Sequence, residues 1–314
     1  MLFALLVTLV SLAYGVSPPL PLERVSPALG YNPALPLLVA VIGYLGGRAW
    51  QFAQIDPTGR AALLQRMQID LAYLALFVVV TYFHFVLKLQ IPMLRRAHYD
   101  ELLFSLDLHL VTVIAWLSAL RNKIAQVLPY PDAWYQLCQM GVYVLSFWGH
   151  ALGKRCFFHP WMNACLLNLM LGALTYLVFP AIGPFLYESG PNRLAFQAEQ
   201  VMAQVAASVA EDGANWLLLH GNEFFTSAPA AMPSLHVSIA CIASYYACRA
   251  RLKMRFVILL MAIWIPLEAV VARWHYLADV PAGALFAVAV IALSNRLCRV
   301  SGTVCEPVAG SRAL

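Results

Sequence analysis

Charge is what this sequence has least of. Of its 314 residues, 20 are Lys or Arg and 15 are Asp or Glu, together 11%. An ordinary soluble domain carries roughly 25%. So few charged side chains do not cover the water-facing surface of a 34.7 kDa body, which excludes a soluble enzyme and a disordered chain. The net charge is only +5, too small and too scattered for a polyanion groove, so no nucleic-acid partner is expected. CxxC, Cys/His zinc spacings and HExxH are all missing. The 7 cysteines are odd in number and unpatterned, which argues against a disulfide framework and reads them as small core hydrophobes. No internal repeat and no low-complexity linker divides the chain, so one domain is expected over 1–314.

What is present instead is hydrophobic: 62% of residues are apolar, and the mean hydropathy is +0.73. A membrane helix needs about 20 mainly apolar residues, or about 17 at the short end. Such runs lie near 34–50, 69–87, 102–120, 135–152, 161–180, 235–250, 256–272 and 280–296. Residues 1–16 add a further stretch that ends like a signal peptide but lacks its basic start, which favours an uncleaved span. The expected fold is all-α, a polytopic transmembrane bundle of eight or nine spans.

Short loops rich in Lys and Arg stay on the cytoplasmic side. Arg249, Arg251, Lys253 and Arg255 crowd one short link. Alternation from that link puts Arg296, Arg299, Arg312, Lys154, Arg155, Lys88, Arg95, Arg96 and Arg24 inside. It puts Arg48, Arg60, Arg66, Arg121, Lys123, Arg193 and Arg273 outside. The long stretch 181–233 then falls on the non-cytoplasmic face. Its middle, Leu194 to Leu219, contains no proline and suits an amphipathic helix that lies in the interface, caps a site or serves as a connector.

The chemistry-bearing residues cluster late. Ala231-Met232-Pro233-Ser234-Leu235-His236 opens one span, and Arg273-Trp274-His275-Tyr276-Leu277-Ala278-Asp279 joins the next two. The link at 249–255 makes these spans an antiparallel pair, so His236 and His275 can face each other at one membrane surface. Histidine exchanges protons near neutral pH and can act as a nucleophile. Asp279, four residues beyond His275, can accept the Nδ1 proton and leave Nε2 free to attack. Pro281 suits only a first helical turn, which puts His275 just before a helix and Asp279 near its start. Arg273 offers a fork of donors that matches phosphate, and Ser234 with the amides of its helix start offers an anion site. This set reads as phosphoryl or phosphodiester transfer through a phosphohistidine, with no metal and no cofactor. Asp107 and His109 lie inside an apolar run, either paired with each other or turned to a polar headgroup. Glu268 is a candidate partner for Arg273.

Pro233-Ser234-Leu235-His236 followed by His275-Tyr276-Leu277-Ala278-Asp279 resembles the last two motifs of the type 2 phosphatidic acid phosphatase superfamily. Leu between Ser and His, together with Phe179-Pro180-Ala181-Ile182-Gly183-Pro184, is closer in form to its inositol-phosphorylceramide-synthase-like branch. The resemblance spans roughly 160–295 and implies a six-helix core, here about 135–296. It implies that His275 is the nucleophile, Asp279 its orienter, His236 the acid for the leaving oxygen and Ser234 a phosphate ligand. Two departures stand out. The superfamily's Ser-Arg-x5-His pattern falls on Ala269 where it has arginine, leaving Arg273 as the substitute. The first motif, Lys-x6-Arg-Pro, is absent as such. Lys154-Arg155 imitates it on the wrong side, and Arg193 is a better-placed second phosphate ligand.

The expected activity is lipid phosphotransfer to an alcohol acceptor, with a phosphatase that uses water as the alternative. The substrates are membrane lipid phosphates or phosphodiesters. Two competing readings remain at this level: a metal-dependent hydrolase with His236, His275 and Asp279 as ligands, and a proton-coupled transporter.

Overall fold

The computed structural model describes residues 1–300 apart from 23, 24, 29, 96, 97, 154, 230 and 231. The expectations placed on Arg24, Arg96, Lys154, Arg312, Ala231 and Cys305 lie outside the described residues. The described chain is helical without a strand. Its α-helices are α1 (Leu2–Ala13), α2 (Leu35–Gln54), α3 (Pro57–Leu94), α4 (Asp100–His109), α5 (Val111–Ala125), α6 (Trp134–Trp148), α7 (Phe158–Val178), α8 (Arg193–Asp212), α9 (Ala214–His220), α10 (Leu235–Arg249), α11 (Arg255–Val271) and α12 (Asp279–Val300).

Among the described residues, three helical stretches are long and apolar enough to cross a membrane: α3, residues 155–178 and α12. A fourth exists only if α4 and α5 count as one bent span. This is fewer than the eight or nine expected. Hydropathy runs continue through residues that the fold spends on turns. The run at 135–152 leaves α6 for a π-helical turn at Gly149–Gly153, and the run at 102–120 breaks at Leu110. Helices α6, α10 and α11 have 15, 15 and 17 residues, so at 1.5 Å each they reach about 22–25 Å of a roughly 30 Å hydrocarbon layer.

The main apolar core joins α2, α3, α6, α7, α8, α10, α11 and α12 through residues such as Tyr44, Leu74, Phe147, Trp161, Ile242, Ile265 and Val290. Helix α10 packs against α6, α7, α11 and α12. Large apolar side chains also point outward, among them Leu38 and Ile42 of α2, Leu260 and Ile263 of α11, and Leu285 and Val288 of α12. Water does not tolerate so continuous an apolar belt, whereas lipid does.

The two ends of the bundle differ in charge. At one end Asp70, fully buried, accepts Arg48 Nη2 at 2.7 Å, Arg155 Nη1 at 2.6 Å and the Tyr44 hydroxyl at 2.8 Å. Arg48 also donates to Ala151 O at 2.8 Å, which ties α2 and α3 to the turn after α6. At the other end Ile91, near the close of α3, packs with Tyr176 and with Leu235 at the start of α10. Arg48 therefore shares an end with Arg155, and Lys88 lies at the end where α10 begins. The alternation inferred from loop charge had both the other way. The reason is the α4–α5 pair, bent by 78°. Asp100 reaches Tyr276 and Arg121 reaches Glu268, so both helices sit at the His-bearing end and the run does not traverse. The described charges upstream of it on α2 and α3 slip by one.

The stretch at 194–219 forms two helices rather than one. The break is Gly213, whose φ of 56° suits a residue without a Cβ. Asn192 caps α8, its Oδ1 accepting the Ala195 N–H at 2.9 Å. Ala195, Ala198, Glu199, Met202, Val205, Ala206 and Val209 turn inward at helical spacing.

Removing the shared carboxylate leaves Arg48 buried without its acid and Arg155, 23% exposed, without its partner. Asp70→Ala is expected to cost about 3–5 kcal/mol, read from chemical unfolding in detergent. A loss below about 1 kcal/mol, the scale of an exposed pair, contradicts this account of the network.

Candidate functional site

Two chain segments meet at the end of the bundle where α10 begins. Ser234 is the N-cap of α10, its Oγ accepting the Val237 N–H at 3.3 Å, and His236 follows within the first turn. The second segment is the turn between α11 and α12. It carries Arg273 and His275, and Asp279 opens α12. The two segments are held in register by the Ser234 N–H donating to Asp279 O at 3.3 Å. Gly283, one turn into α12, permits that approach: a Cβ there lies 2.4 Å from Ser234 O.

His275 Nδ1 lies 3.3 Å from Asp279 Oδ2, and the same oxygen accepts the Tyr276 N–H at 2.9 Å. The backbone N–H of His275 donates to Ala269 O at 3.0 Å. The rings of His236 and His275 meet edge to face, with centroids 5.7 Å apart and planes at 80°. On the far side of His236, the Tyr135 hydroxyl of α6 sits 2.7 Å from its Nδ1. Tyr135 in turn stacks on Trp274 at 5.9 Å. Each imidazole is thus engaged through Nδ1, which leaves both Nε2 atoms for a ligand.

Helix α4 acts as a clamp on the loop. Asp100 accepts the Ile182 N–H at 3.0 Å, the Gly183 N–H at 2.9 Å and the Tyr276 hydroxyl at 2.7 Å. Asp107, buried, accepts the Leu277 N–H at 3.0 Å and pairs with Arg273 Nη1 at 3.2 Å. It does not pair with His109, which is exposed and has its Nδ1 2.7 Å from Ser105 O. Arg273 is itself buried, with a left-handed φ of 65°. Such a backbone costs energy in a residue with a Cβ, and here two ion pairs hold it, to Asp107 and to Glu188. Glu268 is not its partner. That carboxylate receives Arg121 Nε at 3.0 Å and Asn192 Nδ2 at 2.6 Å, fixing α5 and the cap of α8 to α11.

His236, His275, Asp279, Ser234 and Arg273 therefore come together. Arg193 does not join them by any contact among the described residues. It is exposed at the first residue of α8, its backbone N–H donating to Asp132 Oδ2 at 3.2 Å. Lys88, by contrast, lies at the end of the bundle opposite to the one loop-charge reasoning gave it, one turn before Ile91, which packs with Leu235 at the start of α10. It lies on α3 near enough to His236 to act on that ring by charge. A signal was present: Lys88 and Arg95 stand at the Lys-x6-Arg spacing, with Arg96 in place of proline. Lys88, Asp100 and Asp107 all come from upstream of residue 135.

Charge around the loop is crowded with carboxylates. Burial pushes the Glu199 carboxyl on α8 up to about 8, with the Arg273 guanidinium pulling the other way. Among the described residues no three His, Cys, Asp or Glu side chains group to hold a metal ion. A zinc site on His236, His275 and Asp279 lacks that convergence.

Residues 101–293 match the family model described as the PAP2 superfamily. No curated protein and no solved structure matches the chain.

Gly283→Ala is expected to force α12 and the start of α10 apart. A shift of about 1 Å at reacting groups costs on the order of 100-fold, so turnover should fall by about that factor while the helical circular dichroism persists. Normal turnover in that variant contradicts the tight approach at Ser234.

Proposed function

Since the chain belongs to the PAP2 superfamily, we propose that it is an integral-membrane lipid phosphotransferase working through a phosphohistidine. The observation that carries this reading is the imidazole pair, His236 on His275, with Asp279 on Nδ1 of His275. The carboxylate keeps the proton on Nδ1 and so presents the lone pair of His275 Nε2 to phosphorus. As the P–N bond forms, the P–O bond to the leaving group breaks, and His236 gives its proton to the departing oxygen. In the second half the acceptor oxygen attacks phosphorus, the P–N bond breaks, and His236 takes the acceptor's proton.

The phosphate oxygens fall to Arg273, to Ser234 with the amides opening α10, and to Lys88. Arg193, in solvent, ranks behind them. Glu188 occupies part of the Arg273 fork but is 51% exposed, free to swing aside when an anion arrives, whereas Asp107 at 2% stays.

Phosphatase action, with water as the acceptor, uses the same groups. Burial favours transfer: Ser234 and Asp279 are 0% exposed and His275 and Arg273 3%, and excluding water protects a reactive intermediate from hydrolysis. The basic link at 249–255 and Arg296 and Arg299 lie at the end away from the histidines, which supports a site on the non-cytoplasmic face of a multi-pass protein. The unit is one membrane domain, with residues 181–233 over the site.

Incubation with phosphorus-labelled lipid phosphates should leave acid-labile label on the wild-type chain and none on His275→Ala. His236→Ala should slow turnover by about 100- to 10,000-fold, and a lipid with a good leaving group should restore much of it. Label persisting on His275→Ala would falsify the intermediate. Activity in excess chelator is expected to equal that without it, and loss restored by zinc would favour the hydrolase reading instead. Glu188→Gln should lower KM, since it removes a carboxylate that competes for Arg273; an unchanged or raised KM speaks against that competition.

A further inference from the structure

Glu199 is a buried carboxylate to which the chemistry above gives no work. It lies on the inward face of α8 and is 1% exposed. Neither of its oxygens has a hydrogen-bond partner among the described residues. Its neighbours on that face, Ala195, Ala198 and Met202, belong to the same core as Tyr135 and Trp274, the stacked pair that backs His236. Glu199 also acts by charge on Tyr135, and Arg273 acts on Glu199. A buried polar group without a partner is costly and rare. One within electrostatic reach of Arg273, a candidate phosphate ligand, has a bound molecule as its natural partner.

That ligand is not the phosphate, which a carboxyl group repels or serves poorly. The attacking hydroxyl is also spoken for, since His236 takes its proton. We propose that Glu199 binds a second hydroxyl of the acceptor, so that the site selects acceptors with at least two hydroxyl groups over water and over simple alcohols. This rests on the phosphohistidine reading. In the transfer step the P–O bond to the acceptor forms, the P–N bond to His275 breaks and the acceptor's proton goes to His236. Glu199 accepts a hydrogen bond from the other hydroxyl and changes no proton count. The helix that carries it is seated by its own network: Asn192, the cap of α8, is bound to Glu268 of α11, which also holds Arg121 of α5. The cap of the helix that carries Glu199 is thereby tied to α11, which leads into the turn that bears His275.

The test uses the full chain in detergent micelles with phosphorus-labelled phosphatidic acid or phosphatidylglycerol, whichever the wild type consumes. Glycerol and 1-propanol at equal concentration serve as acceptors. The readout is the ratio of transfer product to hydrolysis product for each alcohol. For wild type that ratio should be higher with glycerol than with propanol. In Glu199→Ala the glycerol ratio should fall about tenfold, the scale of one lost hydrogen bond, while the propanol ratio stays in place. Glu199→Gln, which keeps an acceptor oxygen, should fall less. A defect of folding lowers all products together and leaves both ratios unmoved; that result overturns the proposal. So does a wild type that shows no preference for glycerol, even where His275 still carries label. If His275→Ala keeps making both products, the reading of the histidines fails first, on a separate measurement.

Discussion

A single carboxylate on the first turn of α12 is the constraint from which the site follows. One side-chain oxygen of Asp279, Oδ2, meets both the His275 ring and the Tyr276 amide, and its backbone carbonyl receives the Ser234 N–H. One residue thus orients the nucleophile candidate, shapes the turn that bears it and docks the neighbouring helix. Its burial makes those contacts count, because a hydrogen bond is stronger in a dry site than in water. Gly283 serves the same end by removing bulk where the helices touch.

Around that carboxylate the protein spends acidic residues as fasteners. Asp100 and Asp107, both on α4, hold three backbone N–H groups, one tyrosine hydroxyl and one arginine. The left-handed backbone at Arg273 persists because both ends of its guanidinium are paired. In a chain poor in charge, the buried pairs among these, such as Asp107 with Arg273, fix geometry that loops in a soluble protein leave to solvent. Glu199 stands apart: it is buried and acidic, and neither of its oxygens has a hydrogen-bond partner among the described residues.

The motif residues were legible because their chemistry is local. Ser234 and His236 share one turn, and Pro281 confines the start of α12 to its vicinity, so their placement needs little beyond helical geometry. Lys88 was harder. Its spacing to Arg95 is plain in the chain, but its side of the bundle depends on whether residues 102–120 traverse, and hydropathy does not distinguish a crossing from a bend at Leu110. From sequence, Asp107 either pairs with His109 or turns to a headgroup, and Glu268 is a candidate partner for Arg273, each a neighbour in the chain. Their actual partners are Arg273 and Arg121, chosen by packing between helices far apart in the chain.

Composition and two short motifs by themselves determined that this chain is helical, belongs in lipid and brings two histidines and an aspartate to one rim of a helix pair. These properties depend on hydrophobic run length and on residues at most a turn apart, which the order of amino acids sets directly. Only the tertiary structure decided which end the described charges of α2 and α3 occupy, that α4 grips the loop between α11 and α12, and that α8 buries an acid, Glu199, on its inward face. Those outcomes depend on the direction in which each helix runs and on contacts 147 to 176 residues apart, and no local pattern encodes either.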